Sequence, residues 1–196
     1  MYGPDWGLLV VDVQNDFCPG GSLAVPQGDD VVPVINRIMR EHFGCDPRRV
    51  FFSRDWHPAN SRHFAANGGQ WPVHCVRNTT GADFHPGLEV PPGAIIVSKG
   101  VEPDDDGYSA FSDRCVIVDP YESIHLERLL KLRNITHLVV VGLATDYCVK
   151  ATVIDARQKG FVVGVTLEAC RAVNLHDQDL EQAISEMMAA GAVVLP

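Results

Sequence analysis

Three reactive side chains stand where apolar runs of this chain stop. Asp12 closes G-L-L-V-V-D, Lys99 closes I-V-S-K, and Cys148 follows V-V-V-G-L-A-T-D-Y. A cysteine in the first turn of a helix meets the positive end of the helix dipole and unpaired backbone N–H groups. Both favour thiolate over thiol, and thiolate is the nucleophile. The turn at 142–146 can also aim backbone N–H groups at a developing oxyanion. Taken singly, each residue has a plainer role: a small side chain packing a helix start for Cys148, an N-cap or loop hydrogen bond for Asp12. Taken together they complement one another. An amine can hold a carboxylate and stabilise a thiolate, while the carboxylate takes the thiol proton and returns it to a leaving amine. A nucleophile, a base and an orienting group form a triad whatever their order in the chain.

A second constellation lies in R-D-W-H-P-A-N-S-R-H-F and, further on, W-P-V-H-C. It contains Asp55, His57, His63 and His74. One carboxylate with several imidazoles suits a divalent cation, zinc first, with manganese or iron as alternatives. A wet surface loop is the ordinary reading of a lone histidine, and it is kept for His42, His125, His137 and His176. His85, in F-H-P-G-L, reads as structural.

The elements that position these groups follow from hydrophobic pattern. Apolar runs at 7–13, 50–53, 94–98, 138–141, 161–165 and 192–195 predict six strands. Helical periodicity appears from Asp29 or Asp30, both candidate N-caps, to about Phe43, and again over 121–133, 147–159 and 178–190. Alternation of strand and helix predicts a three-layer α/β/α sandwich around an open, mainly parallel six-stranded sheet. Active groups of such sheets gather beyond the carboxyl ends of the strands, which predicts one shared edge for Asp12, Asp55, Lys99 and Cys148. Residues 54–94 show no convincing period. So long a loop inside a compact domain points to function.

The chain has 196 residues, 46% hydrophobic and 21% charged, consistent with one domain spanning 1–196. Net charge is −9 with no basic patch, which argues against nucleic acid. No apolar run approaches the roughly 18 residues of a membrane span, and the first residues do not form a secretory leader. Cys18, Cys45, Cys75, Cys115, Cys148 and Cys170 make no C-x-x-C pair, as expected of reduced thiols in a cytoplasmic protein. The expected partner is a small-molecule substrate. Several apolar surfaces would allow a homo-oligomer, and none is singled out.

The stretches D-V-Q-N-D-F-C-P-G-G-S-L-A-V at 12–25, D-W-H-P at 55–58, W-P-V-H-C at 71–75, K-G at 99–100, D-G-Y-S-A-F at 106–111 and G-L-A-T-D-Y-C-V at 142–149 occur in one order. Their sum resembles the nicotinamidase (pyrazinamidase) branch of the isochorismatase-like cysteine hydrolases. The resemblance implies that nicotinamide is hydrolysed to nicotinate and ammonia through a thioester, as in NAD salvage. It implies a triad of Asp12, Lys99 and Cys148, and metal ligation by Asp55, His57 and His74. His63 matches a further ligand of some members. Phe17, Trp71 and Tyr108 match the walls of the ring pocket. Leu143–Ala144 matches a cis peptide bond that shapes an oxyanion hole from the N–H groups of Ala144 and Cys148. Three other readings compete: a related enzyme acting on a different small amide, a metallohydrolase without a covalent step, and a thiol redox or binding protein without catalysis.

Overall fold

The computed structural model describes residues 2–117 and 125–196. In chain order its strands are β1 (Trp6–Val11), β2 (Val50–Asp55), β3 (Ile95–Lys99), β4 (Val116–Ile117), β5 (His137–Leu143), β6 (Val162–Arg171) and β7 (Val193–Leu195). The α-helices are α1 (Val31–Phe43), α2 (Leu126–Leu132), α3 (Lys150–Gln158) and α4 (Asp179–Ala189).

β1 explains the architecture. Its sequence offers no polar face, so both faces must be covered. Leu8 and Val10 pack into a cluster with Val31, Ile35 and Met39 of α1, while Leu9 and Val11 join Leu130, Val153 and Met187 of α2, α3 and α4. Two apolar layers thus sandwich one sheet, ordered β4-β3-β2-β1-β5-β6-β7. All pairings are parallel except that of β3 with β4. The sheet has seven strands where six were expected. The added one, β4, holds two residues, too few to create a period that sequence could reveal. β6 also runs to Arg171 rather than stopping near 165.

α1 runs over Val31–Phe43 with Asp30 at its N-cap position, as expected. Neither Asp29 nor Asp30 caps α1 through its side chain, because the chain enters through a 3-10 turn over Gly28–Asp30 and Asp30 is already helical. α1 stops at Gly44, whose φ of 61° suits a residue without Cβ. Residues 121–124 of the expected second helix fall outside the described residues. The third expected helix divides: a π-helical turn over Thr145–Val149 precedes α3.

β1 lies between β2 and β5, so the chain leaves it in one direction and returns on its other side. That switch of direction opens a crevice at the carboxyl ends. The long connection from β2 to β3 folds across this edge. It is tied down by Asn15 Nδ2 donating to the Thr80 carbonyl (2.8 Å) and by the Cys75 N–H donating to Asp16 Oδ2 (2.7 Å). Among the described residues no helix is long and apolar enough to cross a membrane.

Candidate active site

Lys99 is the centre of the edge. It ends β3 with no exposed surface, and its ammonium reaches Asp12 Oδ2 at 2.6 Å, Asp55 Oδ1, the Gly107 carbonyl at 2.5 Å and Cys148 Sγ at 3.4 Å. A buried ammonium is costly unless it is paired and hydrogen-bonded, and here every direction is answered. Burial pulls its pKa down, but Asp12 and Asp55 outweigh that and keep Lys99 charged. Asp12 adopts a left-handed φ of 49°, which turns the chain off β1 and points the carboxylate at Lys99. Ser53 Oγ donates to its other oxygen at 2.7 Å. Burial, opposed by Lys99 and reinforced by Asp55, raises the Asp12 carboxyl to about 6.

Cys148 sits in the π-helical turn after β5, 7% exposed. The Ala144 carbonyl accepts from the N–H groups of Tyr147 and Val149 and passes over that of Cys148. The peptide bond between Leu143 and Ala144 is cis. Burial opposes the helix-start argument for a resting thiolate. Burial pushes the thiol well up, Lys99 pulls it down, and Asp12 and Asp55 push it up again. Asp12, Asp55 and Cys148 each offer an atom within 4.8 Å of the others, so the carboxylate that would take its proton is at hand.

Asp55 joins this cluster to the histidines. One of its oxygens faces Lys99; the other lies 3.7 Å from His57 Nε2 and 3.9 Å from His74 Nε2. Burial works against this carboxylate, yet Lys99, His57 and His74 together hold it below the usual range. His57 Nδ1 is 3.0 Å from the Gly100 carbonyl and His74 Nδ1 is 2.7 Å from that of Pro72. Each carbonyl accepts from Nδ1, orients the ring and turns Nε2 toward Asp55. His57 Nε2 is buried with no partner. His63 approaches from the loop, its Nδ1 3.5 Å from Asp106, and burial followed by His57 lowers its pKa to about 4. Ligand atoms of His57, His63 and His74 lie within 4.8 Å of one another. Three converging imidazoles, one orphaned nitrogen and two carboxylates against one ammonium fit a divalent cation.

A cavity of about 30 Å³ lies between the two clusters, lined by Phe17, His63, Trp71, Tyr108, Ala144 and Cys148 among others. Trp71 Nε1 donates to Tyr108 Oη at 2.9 Å, closing one wall.

Residues 7–196 match the isochorismatase domain. The chain belongs to the isochorismatase family. Within it, the chain is 44% identical over 208 residues to the nicotinamidase of Escherichia coli K12, covering 97% of this chain and 94% of that one. A pyrazinamidase of Pyrococcus horikoshii solved in complex with zinc superposes with a TM-score of 0.84 at 38% identity, covering 98% and 99% of the two chains. PnC1 from L. infantum, solved in complex with nicotinate, gives 0.85 at 34% identity, covering 100% and 94%.

All the residues singled out in this isochorismatase-family sequence converge on one edge. Sequence reasoning missed others. Leu23, Val25, Tyr147 and Val173 also line the cavity. Tyr147 meets the Trp71 ring edge-on at 4.9 Å. Its place beside Cys148 was the one available signal. Ser53 and Gln14 gave none beyond lying at or near a strand end. His85 keeps the structural role expected of it, its Nδ1 accepting the Gly87 N–H.

Proposed function

We propose that this chain is a metal-dependent cysteine amidohydrolase that converts nicotinamide to nicotinate and ammonia. One observation carries the reading: a single buried ammonium touches both carboxylates and the cysteine sulfur, beside three histidines. The similarity to nicotinamidases, and the nicotinate held by one solved relative, support the choice of amide.

The carbonyl carbon of the carboxamide lies over Cys148 Sγ, with the ring among Phe17, Trp71 and Tyr108. Asp12 removes the thiol proton, and the sulfur attacks. Lys99 offsets the negative charge on sulfur, while the N–H groups of Ala144 and Cys148 receive the oxyanion. Asp12 then protonates the departing amine, and ammonia leaves a thioester. A water deprotonated by Asp12 attacks the thioester, and nicotinate departs as the thiol reforms. Asp55, His57 and His74 would hold the cation, with His63 a fourth protein ligand. Bound there, zinc would supply a Lewis acid that orients a ring nitrogen and withdraws electron density. The zinc of the P. horikoshii relative supports this ion over iron or manganese. Six unpaired thiols suit the reducing cytoplasm.

The test is ammonia release from nicotinamide by wild type and by Cys148→Ala. The variant should lose at least about 10⁴-fold in kcat while keeping its fold and zinc content. A variant that turns over at a comparable rate would refute the covalent route. A wild type inert on nicotinamide but active on other aromatic amides would refute the substrate.

A further inference from the structure

Gln14 has no exposed surface, and none of the chemistry above uses it. Its surroundings show what it does. Along β2, alternate residues turn their backbone groups toward β1: the carbonyls of Arg49 and Ser53 accept from the N–H groups of Leu8 and Asp12. Asp55 comes next in that series, but β1 has ended, because the left-handed backbone at Asp12 carries the chain away. The N–H and C=O of Asp55 would therefore lie buried without a strand to pair them, and buried backbone groups are costly to leave unpaired. Gln14 supplies the missing strand from its side chain. Its Oε1 accepts the Asp55 N–H at 2.7 Å, and its Nε2 donates to the Asp55 carbonyl at 2.9 Å. The remaining N–H goes to the carbonyl of Ala82 at 2.8 Å, which anchors the amide to the long loop.

A primary amide is the side-chain group that reproduces both halves of a peptide unit, a donor and an acceptor side by side. The grip falls on the residue that links the two halves of the site. One Asp55 oxygen meets Lys99 and the other faces His57 and His74. On its other side Asp55 pairs with Lys99 at the end of β3. We infer that Gln14 is a positioning residue: its side-chain amide extends β1 by one pairing step and fixes the Asp55 carboxylate toward the cation.

The inference rests on the metal-dependent reading above, and its test reads the cation rather than turnover. Zinc affinity would be measured by competition with a chromophoric chelator for wild type, Gln14→Met and Gln14→Asn. Methionine keeps the bulk and loses both hydrogen-bonding functions; asparagine keeps the amide and loses its reach. Thermal unfolding of the zinc-free proteins is followed in parallel. Zinc affinity should fall about 10- to 100-fold in both variants. That loss should persist in whichever variant has a zinc-free melting temperature close to wild type. Variants that bind zinc as tightly as wild type overturn the inference, whether or not they melt earlier, since Gln14 would then serve folding alone. A wild type that holds no zinc refutes the metal-dependent reading itself, and the two failures are told apart by that one control.

Discussion

Asp12 is asked to act as a base while packed against a lysine and a second carboxylate. Burial, the largest influence on it, disfavours its charged form; Lys99 restores part of the loss and Asp55 takes some away, leaving a value of about 6 against an ordinary 3.8. Only the ionised form can take the thiol proton. kcat/KM for ammonia release should therefore climb as pH rises through about 6 and level off above it. A pH–rate profile flat from about pH 5 to about pH 8 would remove Asp12 from that role. Stability carries the opposite sign. The unfolded chain releases this proton first, so the stability due to Asp12 falls as pH rises from 3.8 through about 6. Cys148 illustrates how residue type and residue state differ. Its position at a helix entry was legible, whereas its protonation followed from burial and from two carboxylates far away in sequence.

At the scale of elements, the β5–α3 connection does most to assemble the site. The pairing of β5 with β6 shifts register between Val140 and Gly142, and Gly142 takes a φ of 118°. A Cβ there would strike the Val11 backbone, with 2.7 Å to its nitrogen. Gly142→Ala should therefore cost about 1–3 kcal/mol, since both the space and the backbone angle exclude a side chain. Differential scanning calorimetry should show melting lowered by roughly 2–4 °C for each kcal/mol. Because the next residues lead into the turn that holds Cys148, the proposed nucleophile, activity should fall more than stability alone explains. An alanine variant melting with wild type would mean that β1 and β5 can part at that point. The sequence marked Gly142 as the end of an apolar run, and nothing local betrayed how closely β1 passes it. Asp30 holds the expected N-cap position but makes no side-chain cap, for a related reason: what precedes a helix depends on where the incoming chain was left by the strand before it.

For the molecule as a whole, two apolar layers cover the two faces of the sheet. The cation site hangs on strand ends and a loop. Removing zinc with a chelator should leave the protein folded and lower its melting temperature. A ligand that binds only the folded state at about 100 times its Kd contributes about 2.7 kcal/mol, equivalent to roughly 5–10 °C here. Restoring zinc should restore the difference, and His57→Ala should abolish it. A chelated protein with the circular dichroism of an unfolded chain would show that the ion builds the fold. Identical melting curves with and without zinc in wild type would show that the site holds none.

The sequence by itself determined which side chains were available for chemistry and that strand ends would carry them. Hydrophobic period is local, and an Asp, a Lys or a Cys that stops an apolar run announces itself within a few residues. Tertiary structure alone decided the partners: that Asp55 shares its oxygens between Lys99 and the histidines, that Cys148 is buried between Lys99 and two carboxylates, and that Gln14 stands in for a strand. It also decided the two-residue β4 and the lie of the 54–94 loop. Desolvation and pairing depend on what the folded chain brings from elsewhere, and no short window of residues contains that information.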